Sequence, residues 1–201
     1  AGGAAGRAAS GAAGSGARGA AGSAARGAAG SAARGITGNA ARDLLGNSNR
    51  DRNGRNVEPV LIQTTAINKL PVNSSVGFPL LPDTTLKEAG NSDIIYLPAL
   101  WRNPRPIVKK HPEILDWLRK AYENGAMISA VGTGSCFLAE AGLLNDKPAT
   151  THWHYFDQFQ RDYPKVKLKR QYFITQAGNL YCCASVNAMA DLTVHFVKRM
   201  Y

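Results

Sequence analysis

The tetrapeptide Gly132-Thr133-Gly134-Ser135 concentrates more chemical information than any other stretch of this sequence. It joins a buried-type apolar run, Ala126 to Val131, to a segment with helical spacing that begins at Ser135. Backbone N–H groups at the start of a helix therefore face out of a tight turn. A cysteine at the first position of such an elbow would be a nucleophile, because the helix N-terminus lowers its pKa and favours the thiolate. That position is Gly132, which has nothing to react with. Cys136 stands four residues later, one full helical turn beyond the elbow, where a small thiol on the core face packs as an apolar residue. We expect Cys136 to be buried and unreactive.

The remaining candidates are weaker. His152 and His154 lie two apart, a spacing that sends the rings to different faces of a helix. Cys136, Cys182 and Cys183 show no metal-ligand spacing with them, so no metal and no cofactor are expected. The cysteines are odd in number, and a strand points adjacent Cys182 and Cys183 to opposite faces, which predicts free thiols. Pro98-Ala99-Leu100 follows a second apolar strand, at a place where hydrolytic proteins that resemble this architecture usually show Pro-Gly-Gly, which brings backbone amides against an oxyanion. Ala99 and Leu100 make such a hole less fit for hydrolysis.

The elements that position these residues follow from periodicity. Val57 to Thr65 and Val72 to Phe78 read as extended, and Ser92 to Pro98 has the short continuous apolar run of a strand buried on both faces. A loop with Pro98, Pro104 and Pro106 is expected next. From His111 to Asn124, Ile114, Leu115, Leu118, Ala121 and Tyr122 recur at helical spacing, with Pro112 suited to the first turn and Gly125 to the C-terminal cap. After the strand Ala126 to Val131 come the helix Ser135 to Leu143, a helix capped by Thr151 through Asp162, strands over Val166 to Thr175 and Leu180 to Cys183 around a Gly178-Asn179 turn, and a closing amphipathic helix, Val186 to Met200. Strand, helix, strand, turn, helix predicts a doubly wound α/β fold.

The run Gly132-Thr-Gly-Ser-Cys-Phe-Leu-Ala-Glu-Ala-Gly-Leu-Leu-Asn-Asp146, followed by Ala149-Thr-Thr-His-Trp153, resembles the ThiJ/PfpI-like, class I glutamine amidotransferase-like domain at the N-terminus of AraC-family transcriptional regulators. The family elbow commonly reads Cys-Thr-Gly-Ala-Phe, and the motif ends in Ala-Glu-Ala-Gly-Leu-Leu and Ala-Thr-Thr-His-Trp. The resemblance continues through Tyr181-Cys-Cys-Ala184 and Asp191-Leu192 and covers about 145 residues. It places Gly132 at the cysteine position. It also implies a flavodoxin-like three-layer sandwich with a mostly parallel central sheet, a small-molecule effector, a homodimer, and DNA binding through a C-terminal helix-turn-helix domain that these residues do not include.

Composition bounds the rest. The formal charge is +10, yet residues 1 to 55 carry eight arginines against Asp43 and Asp51, a surplus of +6, and residues 56 to 201 carry only +4. The Lys109-Lys110 and Lys165-to-Arg170 clusters lack any accompanying DNA-binding pattern and read as solvated surface. Residues 1–46 are almost entirely Ala, Gly, Ser and Arg. Composition alone reads as a disordered tail, but we expect these residues to hold the place of the domain's first strand–helix unit, with side chains other than those written, and a disordered tail otherwise. Residues 47–201 are expected to form the ligand-sensing domain. No apolar run reaches about 18 residues, so no membrane span and a cytoplasmic location are expected.

Three function classes follow. The leading one is the sensor domain of a regulator, not an enzyme, with Gly132, Thr133, Gly134, Ser135, Ala99, Leu100, Trp101, His152 and Trp153 lining an effector cleft. The second is a cysteine hydrolase or glyoxalase-like enzyme of the same fold, which the missing cysteine at position 132 disfavours. The third is a ligand-free dimerisation domain.

Overall fold

In the computed structural model, residues 60–74, 77–100 and 103–200 are described. Trp101 and both readings of residues 1–46 lie outside them. In chain order the strands are β1 (Thr65–Ala66), β2 (Val72–Asn73), β3 (Pro79–Leu80), β4 (Thr84–Thr85), β5 (Ile94–Leu97), β6 (Met127–Val131), β7 (Pro148–Ala149), β8 (Lys167–Leu168), β9 (Ile174–Ala177) and β10 (Leu180–Cys183). The α-helices are α1 (Arg105–Lys109), α2 (Pro112–Glu123), α3 (Ser135–Glu140), α4 (Phe156–Asp162) and α5 (Val186–Met200).

The chain divides into two compact units, one holding residues 60–64 and 70–83, the other 65–69 and 84–200. In the first, β2 and β3 form an antiparallel hairpin with Val72 opposite Leu80. The Asp83 carboxylate accepts hydrogen bonds from the Thr64 amide (2.8 Å) and hydroxyl (2.7 Å), which hold it below the usual carboxylate range. Both buried clusters belong to the second unit.

That second unit is built on a four-stranded sheet of order β5-β6-β10-β9, parallel except for β9. The apolar run read as a doubly buried strand, β6, lies in its interior. Alternation along the strands sends side chains to opposite faces. Ile95, Leu97, Ile128, Ala130, Leu180 and Cys182 face α1 to α4, through Val108, Leu115, Leu118, Leu138 and Phe159. Tyr181 and Cys183 face α5, through Ala188, Leu192 and Phe196, where Phe196 packs edge-on to Tyr181 at 4.9 Å between ring centres. Helices on both faces of a mostly parallel sheet make the three-layer α/β sandwich that was expected.

Several element boundaries differ from the sequence reading. In the stretch Val57 to Thr65, residues 60–64 carry no ladder and the strand is β1, paired in parallel with β4. Strand propensity describes fit to a pleated, half-buried surface, and Val60, Leu61 and Ile62 are exposed. Val72 to Phe78 is not one extended strand but the start of a hairpin, turned at Gly77 with φ 85°. The proline-rich loop contains α1, because Pro104 and Pro106 sit at and just inside its start, where a missing N–H costs nothing. Val166 to Thr175 splits into β8 and β9 around a turn in which the Tyr172 amide bonds the Lys169 carbonyl. The elbow helix ends at Glu140, three residues early, and Gly142 with φ 76° follows it.

Candidate functional site

The elbow forms where β6 ends. Gly132 has φ +51°, a left-handed conformation that an L side chain adopts only under strain, and Gly132–Gly134 makes a 3₁₀ turn into α3. A Cβ at Gly132 would meet only the Cβ atoms of His152 at 3.5 Å and Ala99 at 3.6 Å, ordinary contacts. Both of those residues are exposed, so the reacting position of the family elbow lies one layer below the surface. Gly134 is required for a different reason. Its φ is −58°, which any residue adopts, but a Cβ there would lie 2.6 Å from the Pro98 carbonyl oxygen and 2.8 Å from that of Leu97. Helix start and strand end touch backbone to backbone.

Hydroxyl groups then fix the turn. Thr133 Oγ1 donates to the Leu100 carbonyl (2.6 Å) and accepts from the Leu100 amide (2.9 Å), so one side chain closes both backbone groups of the loop after β5. The Gly132 carbonyl accepts from Ser135 Oγ and from Thr151 Oγ1, each at 2.9 Å. Thr151 is therefore not the cap of the next helix. Its hydroxyl is engaged at the elbow, and His152 Nδ1 accepts from the His154 amide at the start of a 3₁₀ turn, Trp153–Tyr155, that leads into α4. Past that segment, Asp162 accepts from Arg105 Nη1 and Gln158 Nε2 at 2.9 Å and from the Tyr155 hydroxyl at 3.2 Å.

The structure thus brings Gly132, Thr133, Ala99, Leu100 and His152 together. Ser135 is fully buried and braces the elbow from within. Trp153 is 69% exposed, its ring 5.6 Å from that of His152 and 5.3 Å from that of His154, so an aromatic ridge follows the elbow. Thr151, read from the sequence both as a helix cap and as part of the Thr151-His152-Trp153 segment at the cleft, takes the second place, through its bond to the Gly132 carbonyl. Its place in the Ala-Thr-Thr-His-Trp motif was the available signal.

Sulfur is absent from the elbow and present in the core. Cys136, Cys182 and Cys183 are free and buried. Burial, with the carboxylate of Asp162 a lesser contribution, pushes the Cys136 thiol far above its ordinary value. Burial likewise raises Cys182 to about 12 and Cys183 to about 11. Among the described residues, no group of three or more His, Cys, Asp or Glu side chains could hold a metal ion.

The profile of the DJ-1/PfpI family matches residues 49–199. The chain belongs to the DJ-1/PfpI family. It is 35% identical over 128 residues to the HTH-type transcriptional regulator CdhR of Pseudomonas aeruginosa, covering 61% of this chain and 36% of that one. It is 30% identical over 131 residues to the isonitrile hydratase of Pseudomonas putida, covering 65% and 55%. A crystal structure of an AraC family transcriptional regulator from Pseudomonas putida superposes with a TM-score of 0.55 at 21% identity, over 68% of this chain and 72% of that one. The chain spans only about a third of the regulator's length and about half of the hydratase's. Transcriptional regulators and an enzyme thus share this fold, and no helix among the described residues is long and apolar enough to cross a membrane.

Proposed function

We propose that this DJ-1/PfpI chain is the effector-sensing domain of an AraC-type transcriptional regulator, cytoplasmic and dimeric, and that it does not catalyse a reaction. A small polar metabolite binds over Gly132, between the loop at Ala99 and Leu100 and the ridge at His152 and Trp153. The observation that carries this reading is the conformation of Gly132, an elbow kept at φ +51° without the side chain that elbow serves in a nucleophile. At the start of a helical segment the N–H groups of Thr133 and Gly134 suit an anionic or carbonyl group, and the exposed Trp153 face suits an amine. Ser135 acts from behind, through the Gly132 carbonyl. DNA contact belongs to a helix-turn-helix part outside these 201 residues, and the effector acts by binding one dimer geometry better than another.

An enzymatic reading draws on the hydratase relative. Against it stand the missing side chain at position 132 and the burial of Cys136.

Thermal-shift screening of the chain against small carboxylates, amino acids and amines tests the proposal. A ligand at 100 times its dissociation constant adds about 2.7 kcal/mol, a rise of roughly 5–10 °C for a domain of this size. A screen in which no compound stabilises the chain, or in which an isonitrile is consumed in proportion to purified protein, would defeat it.

A further inference from the structure

Three lysines stand in one row along β8. The Lys167 amide bonds the Lys147 carbonyl at 3.0 Å, the Lys169 amide bonds the Ala149 carbonyl at 2.8 Å, and the Lys165 carbonyl accepts from the Asp146 amide at 2.8 Å, so residues 165–169 run alongside β7. Alternation then sorts the side chains. Val166 is buried and Leu168 packs on the core, which turns Lys165, Lys167 and Lys169 outward at intervals of up to about 6.6 Å. Neighbouring cations are engaged: Arg170 is held by Asp157 at 2.7 Å, and Lys147 lies over the Tyr122 ring. The three lysines, and Asp146 beside them, enter no ion pair among the described residues. From Tyr163 to Ala190 the sequence contains no Asp or Glu. A one-sided row of positive charge thus faces water.

A regular row of point charges suits a regular row of phosphates. One strand of a duplex offers a phosphate for about every 3.4 Å of its axis, so two nucleotide steps match one lysine interval. A lysine ammonium meets a phosphate as a point charge and reads no base. That β8 carries no groove-reading element beside it accords with a contact that holds DNA rather than selects its sequence. We propose that the lysine row of β8 is a docking surface for the phosphate backbone of duplex DNA. This rests on the reading of the chain as part of a DNA-binding regulator. To the helix-turn-helix contact of that reading it adds a second, sequence-independent one made by the sensing domain itself.

The test uses no effector, so its failure leaves ligand sensing at Gly132 standing. Fluorescence anisotropy of a short labelled duplex of arbitrary sequence, titrated with the 201-residue chain, should show log affinity falling linearly with log salt, each lysine on a phosphate contributing about 0.9 to the slope. Lys165→Gln/Lys167→Gln/Lys169→Gln should lower that slope by about 2.7, so that the affinity lost between about 50 and 200 mM salt shrinks about 40-fold. Lys167→Gln alone should lower it by about 0.9. The control Lys87→Gln/Lys110→Gln/Lys198→Gln removes the same charge from exposed positions elsewhere and should lower the slope by at most about a third as much. All these chains keep the eight arginines of residues 1–55. A second duplex of unrelated sequence should give the same losses, and labelled poly-glutamate, an acidic chain without phosphates, much smaller ones. Circular dichroism checks that each variant keeps the wild-type fold. A wild-type chain that leaves the duplex unbound, a control triple that lowers the slope as far as the β8 triple, losses that depend on duplex sequence, or an equal loss on poly-glutamate, the mark of a site for acidic protein, would each overturn the proposal.

Discussion

What a cysteine nucleophile needs is divided in this molecule between two regions, the elbow and the core. The elbow has the geometry: a left-handed Gly132, a helix start and an exposed ridge beside it. The core has the sulfur, in Cys136, Cys182 and Cys183, which burial keeps as neutral thiols. The contrast teaches that fold and chemistry are separable here. The elbow is held by backbone contacts and hydroxyl groups that do not involve sulfur, so its shape does not depend on a reactive side chain.

The largest effect that would sharpen this contrast is the pH dependence of the core. The folded chain holds its thiols above their ordinary 9.0, Cys183 at about 11 and Cys182 at about 12. The stability they support is fully present below about pH 9 and is lost as pH rises through the folded values. Each thiol that ionises only in the unfolded chain removes about 1.4 kcal/mol per pH unit in that window. Denaturant titrations from pH 8 to 11 should show a steep alkaline fall, shallower in a Cys182→Ala variant after its own packing loss at pH 8 is subtracted.

Next is the backbone contact under the elbow. Gly134→Ala places a methyl against two fixed carbonyl oxygens and should cost about 3 kcal/mol, as overpacking does, read as a lowered denaturation midpoint. A smaller loss is expected from Thr133→Val, which keeps the shape and leaves both Leu100 backbone groups without their partner, about 1–3 kcal/mol. Hydrogen exchange at the Leu100 amide should accelerate in that variant, and an unchanged rate would show that the loop does not depend on Thr133. Smallest is His152→Ala, where an exposed ring is removed. Stability should stay within about 0.5 kcal/mol, while the shift given by any effector found by screening should fall.

The sequence made the centre of the fold legible and its margins less so. β6, α2 and the elbow carry strong local signals: an unbroken apolar run, helical spacing with Pro112 and Gly125 at its ends, and glycines where a left-handed turn and a close approach require them. The margins depend on partners that a local reading does not supply. Residues 60–64 have strand composition without a ladder, and α1 was hidden because its prolines read as breakers when they serve as helix starters. At the site, Gly132, Ala99, Leu100 and His152 were legible through the motif. The roles of Thr133, Ser135 and Thr151 were not, since each hydroxyl meets a backbone group set in place only by the fold.

The central claim is that elbow geometry without sulfur makes a binding site rather than an active one, and Gly132→Cys tests it most directly. The space is available, and the left-handed backbone should cost about 1–2 kcal/mol. With a water-soluble thiol reagent at neutral pH, the native variant should label rapidly at one thiol per chain and the wild type at none. An effector that stabilises the wild type should slow that labelling, and the variant should hydrolyse no amide or ester. Rapid labelling of the native wild-type chain, an unreactive added thiol, or labelling indifferent to a bound effector would contradict the account.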